Sequence, residues 1–156
     1  MADSFPSLAQ LAAEEEELRF DGFTNDDAWD LGSALVAAAR RDGAPVAVDV
    51  SRHGHQLFHA ALPGTSPDND SWIQRKTRVV HRFGHSSLYV RQASIERGTT
   101  FEAEFDLDPG LYAAHGGAFP VVVRSVGPVG AVVVSGLPQL EDHRMVVAAI
   151  RAHLGR

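Results

Sequence analysis

Two apolar runs stand close together near the C-terminus, Phe119 to Arg124 and Val129 to Val134, joined by Ser125-Val126-Gly127-Pro128. Valine dominates both, and runs this short with a Gly-Pro turn between them predict two core strands of a sheet. A helix follows from about Gln139, with Met145, Val146, Ala149 and Ile150 on one side. Paired small residues bracket the runs: Gly116-Gly117 before the first strand and Ser135-Gly136 after the second. Glycines there serve one of two purposes, positive φ in a tight turn or close approach of a ligand to the backbone. The sequence leaves that choice open.

The rest of the chain supplies partners for this pair. Ser7 to Leu18 predicts an amphipathic helix carrying Leu8, Leu11 and Ala12, an appendage to the domain that ends in four glutamates. A short edge strand is expected around Leu18-Arg19-Phe20. Thr24 and Asp27 then suit a capping box, and Leu31, Ala34, Leu35 and Ala38 recur at helical spacing until Gly43. Val46 to Val50 and Gln56 to Leu62 predict a hairpin closed by Pro63-Gly64. Helices are expected from Asn69 or Asp70, carrying Trp72, Ile73, Val79 and Val80, and around Leu88, Tyr89 and Ala93. Thr99 to Gly110 reads as loop or short helical pieces; if extended, its alternation puts Phe101, Phe105 and Leu107 on one side, as a strand-like arm or oligomer contact. Sequential hairpins with helices between them predict one α/β (α+β) domain over residues 1–156, a central five-stranded antiparallel sheet flanked by helices.

Composition removes several functions. A formal charge of -6 offers no basic field to attract nucleic acid or an anionic membrane. There is no cysteine, which excludes disulfides, iron–sulfur clusters and thiolate catalysis. The start, Met1-Ala2-Asp3-Ser4, has no basic segment ahead of an apolar one, and no apolar run reaches membrane length. A cytoplasmic protein is the expectation.

Among the eight histidines, His55 and His59 share a strand face but stand too far apart to ligate together, and Gly84 interrupts His81 and His85. No metal site is predicted. His115 precedes Gly116-Gly117 and can point into a space between that loop and the sheet. His143 is expected on the polar side of the last helix, within reach of the strand ends. Trp72 and Lys76, the only lysine, stand four apart on one helix face with Arg75 between them. An aromatic ring beside cations receives a planar or anionic ligand, or else makes a helix contact. Ser135 lacks the flanking glycine of a nucleophile elbow, and the carboxylates of Glu102 to Asp108 read as solvated, so no catalytic group is assigned.

The segments Gly116-Gly117-Ala118-Phe119-Pro120, Gly130 to Leu137 and Glu141-Asp142-His143 resemble the haem-degrading domain family of HbpS-like and GlcG-like proteins. Asn69 to Lys76, with Phe83, Ser86, Ser87 and Leu88, is similar to one branch of it, small uncharacterised cytoplasmic proteins. The resemblance implies a profilin-like fold, a homo-oligomer and a small-molecule ligand, with haem one candidate cofactor and haem degradation one candidate activity. An oligomeric scaffold without chemistry, using Trp72, Phe101 and Phe105 as interface residues, is the alternative. The ligand-binding candidates are Trp72, Arg75, Lys76, His115, Gly116, Gly117, Ser135 and His143.

Overall fold

The computed structural model describes residues 4–156; the first three, on which the expectation about a signal peptide partly rests, lie outside. The described residues form six helices and one antiparallel sheet of four strands in the order β2-β1-β4-β3. β3 (Ala118–Val123) and β4 (Gly127–Ser135) are the hairpin expected from the two apolar runs. β1 (Ala47–Arg52) pairs with β4 on one side and with β2 (His55–Ala61) on the other. Burial of β1 and β4 on both faces explains why their sequences are nearly continuous in apolar residues.

Strand alternation sends the two faces to different helices. Val48, Val50, Val132, Val134, Phe119 and Val121 belong to the main core. They meet α2 (Asn25–Asp42) and α6 (Gln139–Leu154), which supply Leu31, Leu35, Val146 and Ile150. The opposite face is built from Ala47, Ala118, Ala131 and Val133, packed on Ile73 and Val80 of α3 (Pro67–Phe83). Alanines there let α3 lie close to the sheet, which later brings a long side chain within reach of strand carbonyls. α3 starts earlier than expected, because Ser66 caps it in a box with Asn69 and Pro67 occupies the first turn.

The expected fifth strand is absent, and with it the five-stranded profilin-like sheet. Only Phe20 bridges to Val123, its N–H donating to Val122 O at 2.7 Å while Arg124 N–H donates to Phe20 O at 2.9 Å. The reason is local. α1 (Leu8–Glu17) ends at Leu18 and α2 is capped at Thr24, so the chain between them is too short to run along the sheet edge. It lies parallel to β3 at one residue only, burying Phe20 and Phe23 with their rings 5.2 Å apart.

A strand-like arm at Phe101 is also overturned. Thr100 caps a single helical turn, α5 (Phe101–Phe105), which follows α4 (Ser87–Glu96). A spacing of four satisfies strand and helix periods alike, and here it puts Phe101 and Phe105 together against Phe83, with ring separations of 4.8 to 5.9 Å. Phe101 is buried, which removes it as an interface residue. Leu11 of α1 packs with Leu88 and Leu140.

Gly32 offers a test of the α2–sheet contact. A Cβ there would lie 2.2 Å from the Phe58 ring of β2. Alanine raises helix propensity by about 1 kcal/mol, whereas overpacking a contact of this kind costs about 1–3 kcal/mol. Gly32→Ala should therefore lower the urea midpoint; an unchanged or raised midpoint would mean that the Phe58 ring moves freely.

Candidate functional site

Lys76 lies on the inner face of α3 and is 2% exposed. A buried ammonium is tolerated only where acceptors replace its water. Here there are three. Its Nζ donates to Val134 O at 2.7 Å, to Gly116 O at 3.0 Å and to Asp142 Oδ2 at 3.4 Å. Four segments therefore meet at one nitrogen: α3, the loop before β3, the end of β4 and the first turns of α6.

This bridge answers the question about the glycines. A Cβ on Gly117, whose φ is +128°, would lie 2.5 Å from Lys76 Nζ and from Val134 O; one on Gly116 would lie 2.4 Å from Gln139 O. The loop is drawn in further by Val134 N–H donating to Gly117 O at 2.9 Å and Gly116 N–H donating to Gln139 Oε1 at 3.0 Å. Both glycines admit close approach, and what approaches is the protein's own lysine and helix start.

Asp142 completes the bridge, accepting from Leu137 N–H at 3.0 Å and Gly136 N–H at 3.4 Å as well as from Lys76. Burial outweighs the ammonium and these amides and pushes the Asp142 carboxyl from its ordinary 3.8 up to about 6. Burial likewise pushes the Lys76 ammonium down, against the pull of Asp142.

Above the bridge lies a cleft of about 270 Å³ between α3 and the start of α6, and Trp72, Lys76, His115, Gly116 and Ser135 all line it. Asn69, Gln139 and Asp142 contribute as well, although sequence reasoning did not single them out as ligand contacts. A lone lysine on an apolar helix face calls for buried acceptors, but nothing in the sequence says that Asp142, 66 residues away, is one of them. The aromatic–cation pair differs from expectation: Arg75, not Lys76, covers the Trp72 ring, with its guanidinium carbon 4.0 Å from the centroid. His115 meets the same indole edge-on at 4.9 Å, and burial followed by the charge of Lys76 lowers its pKa, so the imidazole is neutral at pH 7.

His143 is not part of this group. It is 2% exposed rather than on a polar side, and its Nε2 lies 2.7 Å from Glu14 Oε1 of α1. The docking of α1 over α6 covers it. Haem does not fit the cleft. A tetrapyrrole needs a largely apolar slot, and about 270 Å³ falls below the roughly 300–1,000 Å³ of drug-sized sites. A larger groove between α2 and α6, about 650 Å³ and lined by alanines and other apolar residues with Arg41, Asp42, Glu141 and Arg144, contains no imidazole. Among the described residues no three His, Asp or Glu side chains gather to hold a metal ion.

The bridge makes two predictions of one kind. Lys76→Met strands the Asp142 carboxylate and two carbonyls and should cost about 3–5 kcal/mol in urea unfolding. A loss below about 1 kcal/mol would show that water replaces the ammonium. For Asp142, a carboxyl raised on folding contributes stability that is full below its unfolded pKa and is lost as pH rises through about 6. Asp142→Asn cannot ionise, so its stability relative to the parent should improve as pH rises from 4 to 7 on the scale set by these values. A difference that stays flat over that range would place the carboxyl's pKa at its ordinary value.

Comparison with known proteins agrees with this architecture. The chain is 58% identical over 154 residues to a UPF0303 protein of Streptomyces coelicolor, covering 99% of this chain and 98% of that one. The crystal structure of the Ybr137w protein superposes with a TM-score of 0.85 at 39% identity, covering 95% of this chain and 88% of that one. PduOC, solved as a complex with heme, shares the fold at TM-score 0.68 and 18% identity, over 84% of this chain and 94% of that one. No helix among the described residues is long and apolar enough to cross a membrane. Residues 23–151 match the family described as haem degrading protein HbpS-like, and the chain belongs to that family.

Proposed function

We propose that this chain binds a small polar molecule in the cleft between α3 and α6, against the Trp72 indole and the neutral His115 imidazole. One observation carries the reading: the cleft has a floor whose polar groups are already paired and a rim whose side-chain hydrogen-bonding atoms are not. Lys76 and Asp142 satisfy each other and the surrounding backbone below. Trp72, His115 and Ser135 face the opening. A concave site with a few convergent polar groups and shifted titrating residues is the usual form of a ligand site. The heme bound by PduOC supports ligand binding on this fold, while the size and polarity of this cleft favour a smaller guest. The lack of cysteine accords with a cytoplasmic place of work.

Two titrations test it. Small polar metabolites screened by thermal unfolding should include members that raise Tm, and the rise should vanish in Trp72→Ala; a site filled to a hundredfold excess over Kd stabilises by about 2.7 kcal/mol. Haem should give a drifting absorbance change indifferent to His115→Ala. A Soret shift that saturates at one haem per chain and is abolished by His115→Ala would overturn the small-ligand reading.

A second reading, self-association, has its own support. No strand among the described residues pairs with the outer side of β2, whose sequence HQLFHAA lacks the proline and fixed charges that blunt exposed edges. Trp29 stands beside it, 62% exposed, with its ring 5.5 Å from that of Phe58. We infer that a second copy covers this edge. Light scattering should find a dimer or larger assembly, shifted toward monomer by Trp29→Glu; a parent that stays monomeric at high micromolar concentration rules the interface out.

A further inference from the structure

We propose that the cleft selects a carboxylate, held by the Ser135 hydroxyl at the open N-terminus of α6. This rests on the cleft being a ligand site and adds the chemistry it recognises. The first observation is the helix start. α6 runs sixteen residues, and Pro138 at its N-cap provides no side-chain hydrogen bond to the first amides. Those amides normally take an oxygen from Ser, Thr, Asp or Asn at that position. Here Glu141 N–H turns back to Pro138 O at 2.9 Å, while the Gln139 and Leu140 amides and the partial positive charge of the helix end are left for another acceptor.

The second observation is independent of the helix. Ser135 is 4% exposed and lines the cleft. Its neighbours two and four residues back, Val133 and Ala131, face α3, so alternation turns Ser135 to the same side. Among the described residues its hydroxyl makes no hydrogen bond; only its backbone oxygen does, accepting from Asn69 Nδ2 at 3.5 Å. Ser51 also carries an unpartnered hydroxyl, but that one is sealed from any ligand. A hydroxyl so buried and so placed is a donor waiting for an acceptor.

The remaining groups agree in sign. Gln139 already uses its Oε1 to accept from Gly116, which leaves its amide nitrogen as a donor toward the cleft. His115 is neutral, with one N–H. Of the two carboxylates in the lining, Asp142 is saturated by Lys76 and two backbone amides, and Asp68 is exposed to solvent screening at the mouth. The turn between β4 and α6 already directs two backbone N–H groups, of Gly136 and Leu137, at carboxyl oxygens. Donors therefore outnumber free acceptors, and Trp72 adds a flat wall for the rest of the ligand.

The test uses benzoate and its neutral isostere benzamide as probes. Trp29→Phe leaves Trp72 as the sole indole, so emission reports the cleft alone. Benzoate should change that emission saturably and bind at least about tenfold tighter than benzamide, as charge-assisted hydrogen bonds require. Ser135→Ala in the same background should weaken benzoate by about tenfold and benzamide by clearly less, because the bond lost to a neutral carbonyl is the weaker one. Equal affinity for the two probes, or indifference of benzoate to Ser135→Ala, overturns the carboxylate assignment while leaving the cleft as a ligand site. Silence of Trp72 toward both probes sinks the assignment and the site together. Should Ser135→Ala fail to match the parent in thermal unfolding, the benzoate-to-benzamide ratio decides alone.

Discussion

One buried ammonium organises this molecule. Lys76 Nζ touches a strand carbonyl, a loop carbonyl and a helix carboxylate, so the positions of α3, β4, the Gly116-Gly117 loop and α6 are fixed relative to one another at a single atom. A hydrophobic side chain at that place would pack the same layers with less desolvation, since buried ion pairs rarely add net stability. What the ammonium supplies is direction. Each acceptor has to arrive at hydrogen-bond distance, and a shift of α3 along the sheet would leave a charge unpaired. The glycines follow from this requirement, because any Cβ on the loop would collide with the nitrogen or with Gln139 O.

The layer beneath makes such an approach feasible. Alanines at 47, 118 and 131 line the α3 face of the sheet, while valines and Phe119 fill the opposite face toward α2 and α6. Small residues bring α3 near enough for one long side chain to reach backbone oxygens across the sheet edge. Large residues on the other face carry most of the apolar burial, at roughly 1.5–3 kcal/mol for each fully buried Val or Leu. Stability and geometry are thus divided between the two faces: one holds the fold, and the other positions the cleft.

Much of this was legible from residues alone, and the failures have physical causes. The β3–β4 hairpin and the starts and stops of α2 followed from runs of valine, a capping box and Gly43. Phe20 reads as a strand residue because a buried apolar side chain beside an edge looks the same whether one residue pairs with the sheet or several do; the short distance between two helix caps leaves a single parallel bridge. Phe101 and Phe105 stand four apart, a spacing that strand and helix share. Trp72, Lys76, His115, Gly116 and Ser135 were recognisable as candidates, and they do line one cleft. Their division into floor and rim was not legible, because it depends on Asp142, a carboxylate far away in sequence. His143 was misread since its helix face is polar by composition, and the docking of α1, which supplies Glu14, is a tertiary event.

That division between floor and rim bears on how such a site evolves and how it responds to change. Groups on the floor are saturated: every proton of Lys76 has an acceptor, and Asp142 meets an ammonium and two amides. Altering them perturbs the meeting of four segments, so the first consequence is structural, and any effect on a ligand is indirect. Groups on the rim contribute little to folding. Ser135 leaves its hydroxyl unpaired, Pro138 leaves a helix end uncapped, and His115 is neutral and partly covered. Unpaired donors near the protein interior are a burden on the folded state in the absence of an acceptor. Their presence beside a floor built with such care for pairing is the physical argument that the acceptor arrives from outside.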